Sequence, residues 1–76
     1  MKVIKVLGGG CRSCVTTHDL IAEVLREKGI EAELTKVEDM GQIMGYGVMS
    51  TPGVVIDEQV VHSGGIPERK LIESWF

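Results

Sequence analysis

Two cysteines, Cys11 and Cys14, are the only thiols in the chain, and they lie between an apolar segment and an amphipathic pattern. The apolar segment, residues 3–7, is rich in β-branched side chains, and the helical pattern begins near Val15. A thiol at the start of a helix faces unpaired backbone N–H groups and the positive end of the helix dipole, which both favour the thiolate. A thiolate one helical turn from a second thiol can attack a disulfide and then be released by that neighbour. The position of the pair therefore predicts thiol–disulfide chemistry.

The size and charge of the chain argue against several other classes of protein. Its 76 residues suit one small domain, 1–76, and a hydrophobic content of 43% predicts a packed core. A net charge of −3, with acidic and basic residues mixed along the chain, predicts no nucleic-acid partner. No apolar stretch is long enough to span a membrane, and strand-like sequence directly after Met1 leaves no room for a signal peptide. We therefore expect a cytoplasmic location, where paired cysteines serve redox or metal chemistry more often than they form structural bridges.

Hydrophobic periodicity predicts an α/β architecture with elements in the order β-α-β-α-β-β-α, forming a four-stranded mixed sheet with three helices. Right-handed crossovers make the first two strands parallel neighbours, and a turn at Asp57-Glu58 joins the last two strands as a hairpin. The predicted strands are residues 2–7, 31–37, 53–56 and 59–62, and the predicted helices are 15–28, 38–46 and a closing helix from Pro67. The side chains expected to face inward are Leu20, Ile21, Val24 and Leu25 in the first helix, Met40, Ile43 and Met44 in the second, and Leu71, Ile72, Trp75 and Phe76 in the third.

Four short motifs occur together in an order typical of one superfamily. They are Cys11-x-x-Cys14 after the first strand, Thr51-Pro52 before the third, Val-Val-Ile-Asp at 54–57, and Gly64-Gly65 before the last helix. With these motifs the chain resembles the thioredoxin and glutaredoxin superfamily, and it is most similar to the small archaeal and bacterial glutaredoxin-like thioredoxins, also called redox-active disulfide proteins. The resemblance implies a minimal thioredoxin-like fold over nearly the whole chain. It also implies a small thiol–disulfide oxidoreductase that cycles between a dithiol and a disulfide.

The resemblance implies a role for each motif residue. Cys11, which precedes the helix, is the expected nucleophile, and Cys14, one turn deeper, is the expected resolving thiol. The Thr51–Pro52 bond is expected to be cis, so that the Thr51 backbone can pair with an extended substrate chain. The positive charge of Arg12 would favour the Cys11 thiolate. The residues expected to contact substrate are Arg12, Ser13, Thr51, Pro52, Gly64 and Gly65.

The same resemblance predicts partners. A monomer without a cofactor would act on disulfide-containing proteins and receive electrons from a thioredoxin-reductase-like protein or a small thiol. The chain departs from thioredoxins proper in two ways: it lacks the Trp-Cys-Gly-Pro-Cys sequence, and segment 3–7 contains no acidic residue. Lys5, in that segment, could serve as a base only if its pKa were strongly lowered. It departs from glutaredoxins in having Ile66-Pro67-Glu68 where an Asp usually helps to bind glutathione. The electron donor therefore stays open between a reductase and a small thiol.

A metal-binding module is the main alternative. The loop from Gly9 to Val15 is similar to that of copper chaperones of the heavy-metal-associated type, and paired thiolates suit Cu(I). That type of domain has Met where this chain has Gly9, has no counterpart of Thr51-Pro52, and ends in a strand. The oxidoreductase is therefore favoured, and a redox sensor without turnover is a third hypothesis with the same chemistry.

Other residues with reactive side chains have simpler explanations. His18 falls on the helix face of the two cysteines and could transfer a proton, but a solvated histidine is favoured, and His62 has a weaker claim. Met40, Met44 and Met49 could bind a soft metal, but core packing is the preferred interpretation. Trp75 and Phe76 are expected in the core.

Overall fold

The computed structural model describes residues 1–76, and its elements follow the predicted order. The strands and helices, in chain order, are β1 (Lys2–Leu7), α1 (Arg12–Lys28), β2 (Ala32–Val37), α2 (Met40–Gly45), β3 (Gly53–Ile56), β4 (Gln59–Ser63) and α3 (Arg69–Ser74). The predicted α/β architecture, with a four-stranded mixed sheet and three helices, is confirmed.

The sheet has the strand order β2-β1-β3-β4, so β1 lies in its interior. Strand β1 pairs in parallel with β2 and antiparallel with β3, while β3 and β4 form the predicted hairpin. The hairpin turn consists of Asp57 and Glu58, which both have positive φ, at 49° and 68°. A two-residue turn with this handedness matches the twist of the strands that it joins. Leu7, the last residue of β1, pairs with Gly53, the first residue of β3. The cysteine loop follows β1 and the Pro52 loop precedes β3, so both loops lie at this end of the sheet.

The core consists of two apolar clusters, one on each face of the sheet. Alternation along β1 sends Ile4 and Val6 to the face covered by α1 and α3, and it sends Leu7 to the face covered by α2. The larger cluster comprises Ile4, Val6, Ile21, Val24, Leu25, Val54, Ile56 and Ile72, and the smaller one comprises Leu7, Ile43, Val48 and Val55.

Helix α1 begins at Arg12, three residues earlier than predicted, because Cys11 caps it. The backbone of Cys11 is extended, and its sulfur accepts a hydrogen bond from the N–H of Cys14. The helix ends at Gly29, whose φ of 65° is the left-handed conformation that glycine adopts at low cost. The first cysteine therefore lies at the helix N-terminus, and the second lies inside the first turn.

Helix α3 begins at Arg69 rather than at Pro67, and its first residue binds it to α1. The Arg69 guanidinium forms salt bridges with Glu23 and Glu27 of α1, and with Glu73 one turn along its own helix. Trp75 and Phe76 pack against the larger cluster, so the core prediction for both is confirmed. The inward prediction for Leu71 is wrong, because its side chain is 41% exposed.

The inward predictions for Met40 and Met44 are also wrong. They are 64% and 70% exposed, and Met49, for which core packing was preferred, is 98% exposed. Helix α2 has only six residues, and Ile43 is its only buried side chain. Val48, from the loop that follows the helix, completes the small cluster beneath α2. The methionines are therefore left at the surface.

Candidate redox site

The two cysteines form a disulfide at the start of α1, with their Cα atoms 5.2 Å apart. Their surroundings differ sharply. Cys11 is exposed, whereas Cys14 is only 1% exposed and lies within the fold. The Cys11 sulfur already accepts the N–H of Cys14 at 3.2 Å, so a helix N-terminal donor is directed at it. Cys11 is therefore the cysteine open to solvent, and Cys14 is enclosed by the fold.

Gly8 provides the space in which the Cys14 sulfur lies. A Cβ at this position would overlap Cys14 Sγ and would come within 3.3 Å of Thr51 Cβ. The backbone φ of Gly8 is +153°, which side-chain-bearing residues rarely adopt. Gly9 and Gly10, in contrast, have open space where a Cβ would be. The first glycine of the three is thus required sterically, and it brings Cys14 and Thr51 together.

The loop before β3 forms the second side of the site. The Thr51–Pro52 bond is cis, with Thr51 exposed and Pro52 buried. The N–H of Gly64 donates to the Pro52 carbonyl at 3.0 Å, which joins the Gly64-Gly65 turn to this loop. Both glycines have positive φ, and a Cβ on Gly64 would crowd Ser50 at 3.3 Å. The structure therefore brings the predicted residues of the cysteine loop, the Pro52 loop and the diglycine turn to one end of the sheet.

Arg12 and Ser13 occupy the first turn of α1, between the cysteines. Arg12 is exposed and takes part in none of the salt bridges of the structure. Ser13 is half-buried, and its carbonyl accepts a hydrogen bond from the buried hydroxyl of Thr17 at 2.8 Å. This bond links the Thr17 side chain to the first turn of the helix.

Neither histidine contacts the cysteines through a hydrogen bond. The ring of His18 approaches Asp19 at 3.4 Å, and the ring of His62 bonds to the carbonyl of Gly65 at 3.0 Å. His62 thus supports the diglycine turn, a contact that its position in the sequence did not indicate. No group of three or more His, Cys, Asp or Glu side chains is placed to hold a metal ion.

Lys5 lies on the α2 face of β1, where it is bound by two oxygen-bearing side chains. Its ammonium donates to Glu58 at 2.7 Å and to Tyr46 at 2.9 Å, and the Tyr46 hydroxyl donates to the other Glu58 oxygen at 3.0 Å. The hydrogen bonds to Glu58 and Tyr46 raise the pKa of Lys5 above its usual range, and they lower the pKa of Glu58. Lys5 is therefore held protonated, which is the reverse of what a proton acceptor requires.

An apolar groove of about 510 Å³ borders the cysteine loop. Gly9 and Thr51 form its side next to the cysteines, and the exposed side chains of Met40, Met44 and Met49 line the rest together with residues of the small cluster. Sequence reasoning missed this groove because it assigned the methionines to the core. The run of Gly41, Gly45 and Gly47 was the available signal, since it limits α2 to a length that buries few side chains.

A disulfide at a helix start, with its first cysteine exposed and an X-Pro loop beside it, defines a protein of the thioredoxin-like class. Comparison with known proteins agrees: the family model described as "Thioredoxin domain" matches residues 2–76. A thioredoxin of Methanocaldococcus jannaschii is 40% identical over 73 residues, covering 96% of this chain and 84% of the relative. A thioredoxin of Methanothermobacter thermautotrophicus is 30% identical over 73 residues, covering 96% of this chain and 95% of the relative.

The chain belongs to the thioredoxin family, and it is a thiol–disulfide oxidoreductase with Cys11 and Cys14 as its redox pair. Members of this family act on disulfide substrates together with a reductase. The metal-binding alternative is not better supported, because the two sulfurs lie at disulfide distance and the similar relatives are thioredoxins. None of its helices combines the length and the apolar character needed to cross a membrane.

Proposed function

We propose that the chain is a protein-disulfide oxidoreductase in which Cys11 attacks the substrate and Cys14 resolves the intermediate. The difference in exposure between the two cysteines is the observation that supports these roles. Cys11 is exposed at the helix N-terminus, and Cys14 is 1% exposed behind it. The attacking thiol must reach a foreign disulfide, whereas the resolving thiol needs only to reach its neighbour.

The reaction exchanges one disulfide for another. The Cys11 thiolate attacks one sulfur of the substrate disulfide, forming a mixed disulfide and releasing the other substrate sulfur as a thiolate. The Cys14 thiol then loses its proton and attacks the Cys11 sulfur, which releases the second substrate sulfur and forms the Cys11–Cys14 disulfide. The substrate gains two electrons and two protons, and the dithiol loses them. A donor must return two electrons before the next cycle.

The exposed backbone of Thr51 is proposed as the platform for an extended substrate chain. Thr51 precedes the buried Pro52 and adjoins Gly8 and Cys14. A substrate strand that pairs with this backbone would bring its disulfide close to the exposed residue Cys11. Gly64 and Gly65 are proposed to border the same strand, and the free charge of Arg12 is proposed to favour the Cys11 thiolate.

The donor is proposed to be a thioredoxin-reductase-like flavoprotein or a low-molecular-weight thiol. The chain is proposed to act as a monomer, as one domain comprising residues 1–76, and in the cytoplasm, where a reducing environment regenerates the dithiol. The substrates are proposed to be proteins with accessible disulfides.

Reduction of insulin disulfides by the dithiothreitol-supported protein tests this function. We expect the parental protein to accelerate insulin reduction and both Cys11→Ser and Cys14→Ser to lose turnover. A parallel Cu(I) titration with a competing chelator tests the alternative. Tight Cu(I) binding by the dithiol, together with no acceleration of insulin reduction, would contradict the proposed function.

A further inference from the structure

The turn formed by Gly64 and Gly65 is held by two hydrogen bonds. The N–H of Gly64 donates to the Pro52 carbonyl at 3.0 Å, and the ring Nε2 of His62 lies 3.0 Å from the Gly65 carbonyl. Both glycines have positive φ, at 77° and 70°, and neither has a side chain that could anchor it. Glycine loses more conformational freedom on ordering than any other residue, so the geometry of this turn depends on these few bonds.

The turn contacts the residues on both sides of Thr51. Gly64 bonds to the carbonyl of Pro52, which follows Thr51, and a Cβ on Gly64 would come within 3.3 Å of Ser50, which precedes it. Thr51 itself is exposed between these two contacts. A displacement of the turn would therefore move both neighbours of the backbone that is proposed to pair with a substrate strand.

The His62 ring is supported by the core. His62 lies in β4 opposite Val54, a residue of the larger apolar cluster, and its ring centroid is 6.4 Å from that of Trp75, with the ring planes tilted by 48°. This separation is within the range of aromatic contacts. Trp75 packs against the same cluster, so the ring of His62 connects the diglycine turn to the core between the sheet and α3.

We propose that His62 is a positioning residue for substrate binding. Its Nε2–H donates to the Gly65 carbonyl, and the anchored turn holds the Thr51 backbone in the conformation that pairs with an extended substrate chain. The inference rests on the proposed function and adds a residue to it that lies outside the four sequence motifs. A small disulfide that does not pair with Thr51 does not need this support. His62 should therefore affect the reaction with peptide disulfides and leave the reaction with small disulfides unchanged.

Two substrates with the same leaving group distinguish these cases. One is an extended peptide whose single cysteine is joined to a chromogenic thiol in a mixed disulfide, and the other is cysteine amide joined to the same thiol. Release of the chromophore by the reduced protein gives a second-order rate constant for each substrate. His62→Phe keeps an aromatic ring beside Trp75 but removes the hydrogen-bond donor. We expect it to lower the peptide rate constant about fivefold, the scale set by one neutral hydrogen bond, and to leave the cysteine amide rate constant unchanged.

Two further variants test whether the hydrogen bond causes the effect. His62→Gln keeps an N–H donor without the ring, so it should retain the parental ratio of the two rate constants. His18→Phe is the matched control, because it makes the same substitution at the other histidine, which is also half-buried and whose ring approaches Asp19 rather than the turn. This variant should keep both parental rate constants.

The tautomer of His62 tests the same bond in the unaltered protein. A carbonyl oxygen only accepts hydrogen bonds, so the neutral ring must carry its proton on Nε2. Nitrogen NMR of the ring at alkaline pH distinguishes this form from the Nδ1–H tautomer. A proton found on Nδ1 would overturn the inference, whether or not the variants fold.

The outcomes separate the inference from the function on which it rests. A parental protein that reacts with neither substrate contradicts the proposed function. If His62→Phe lowers both rate constants equally, the role of His62 is structural alone, and if it changes neither, His62 has no role in the reaction. Either result contradicts the positioning role and leaves the proposed function intact. A His62→Gln variant that loses the parental ratio would show that the donor is not the cause, and it too would overturn the inference.

Discussion

Replacing Gly8 by Ala should destabilise the protein far more than the same change two residues later. The added methyl group would overlap Cys14 Sγ and would crowd Thr51 Cβ at 3.3 Å. Overpacking of this kind costs about 1–3 kcal/mol. A backbone φ of +153° adds strain of about 1 kcal/mol or more once a side chain is present. We therefore expect Gly8→Ala to lower the free energy of unfolding by about 2–4 kcal/mol.

The size of this loss makes it readily measurable. A domain of 76 residues is stable by about 4–11 kcal/mol, so Gly8→Ala should remove a large fraction of the total. Urea unfolding of the oxidised protein, followed by circular dichroism, gives the free energy of unfolding for each variant. The slope of the transition should stay the same, because the surface exposed on unfolding does not change.

Gly10→Ala is the matched control for this experiment. Its Cβ would meet no atom within 4 Å. Both substitutions reduce the entropy of the unfolded chain by a similar amount, so this contribution cancels when the two variants are compared. If Gly8→Ala and Gly10→Ala unfold at the same urea concentration, the steric account of Gly8 is wrong.

Further predictions concern the thiols and the Lys5 cluster. In the reduced protein, Cys11 should react with iodoacetamide before Cys14, because only Cys11 is exposed; adduct mapping by mass spectrometry that finds Cys14 labelled first would reverse the assignment. Cys14→Ser should accumulate a mixed disulfide with a substrate protein on a non-reducing gel, and Cys11→Ser should not; equal trapping by both variants would contradict the separate roles. Glu58 has a folded-state pKa lowered by hydrogen bonds from Lys5 and then Tyr46, so it contributes stability above its ordinary pKa of 4.5 that is lost as the pH falls through the lower folded value. Glu58→Gln should therefore flatten the loss of stability below about pH 4.5, as measured by urea unfolding at several pH values; an unchanged acid dependence would contradict this linkage.

The order and pairing of the elements could be predicted because they depend on local patterns. The β-branched side chains of residues 3–7 and the three- and four-residue steps of α1 indicate a strand and a helix without reference to the rest of the chain. The start of α1 could not be predicted as well, since it depends on the Cys11 sulfur accepting a backbone hydrogen bond. Periodicity contains no information about a cap of that kind.

The exposure of side chains in the short helices was the least predictable part of the fold. Met40, Ile43 and Met44 lie close together on one face of α2, and only the tertiary structure determines which of these side chains contacts the sheet. In a six-residue helix over a small cluster, one side chain filled the available space, and Val48 from the next loop filled the rest. A longer helix would have produced a wider apolar stripe and a safer prediction.

The candidate site was predictable only in part, because its members lie far apart in the sequence. The Cys11–Cys14 pair is visible as a local motif, and Thr51-Pro52 became significant through the family resemblance. The steric need for Gly8 depends on where the Cys14 sulfur lies in the folded protein, so a local pattern cannot show it. The bond between Lys5 and Glu58 spans 53 residues, and it requires the register of β1 against the β3–β4 hairpin.

The Lys5 cluster also bears on how Cys14 loses its proton in the proposed mechanism. Thioredoxins proper bury a carboxylate in the strand before the cysteines, but here β1 has no acidic residue, and Lys5 is bound to Glu58. Because the hydrogen bonds of Lys5 hold it protonated, it cannot accept a proton from Cys14. The first substrate sulfur leaves as a thiolate, which is basic enough to take that proton directly or through water. The released substrate thiolate would thus act as the base that deprotonates Cys14. The resolving step would then need no carboxylate on β1.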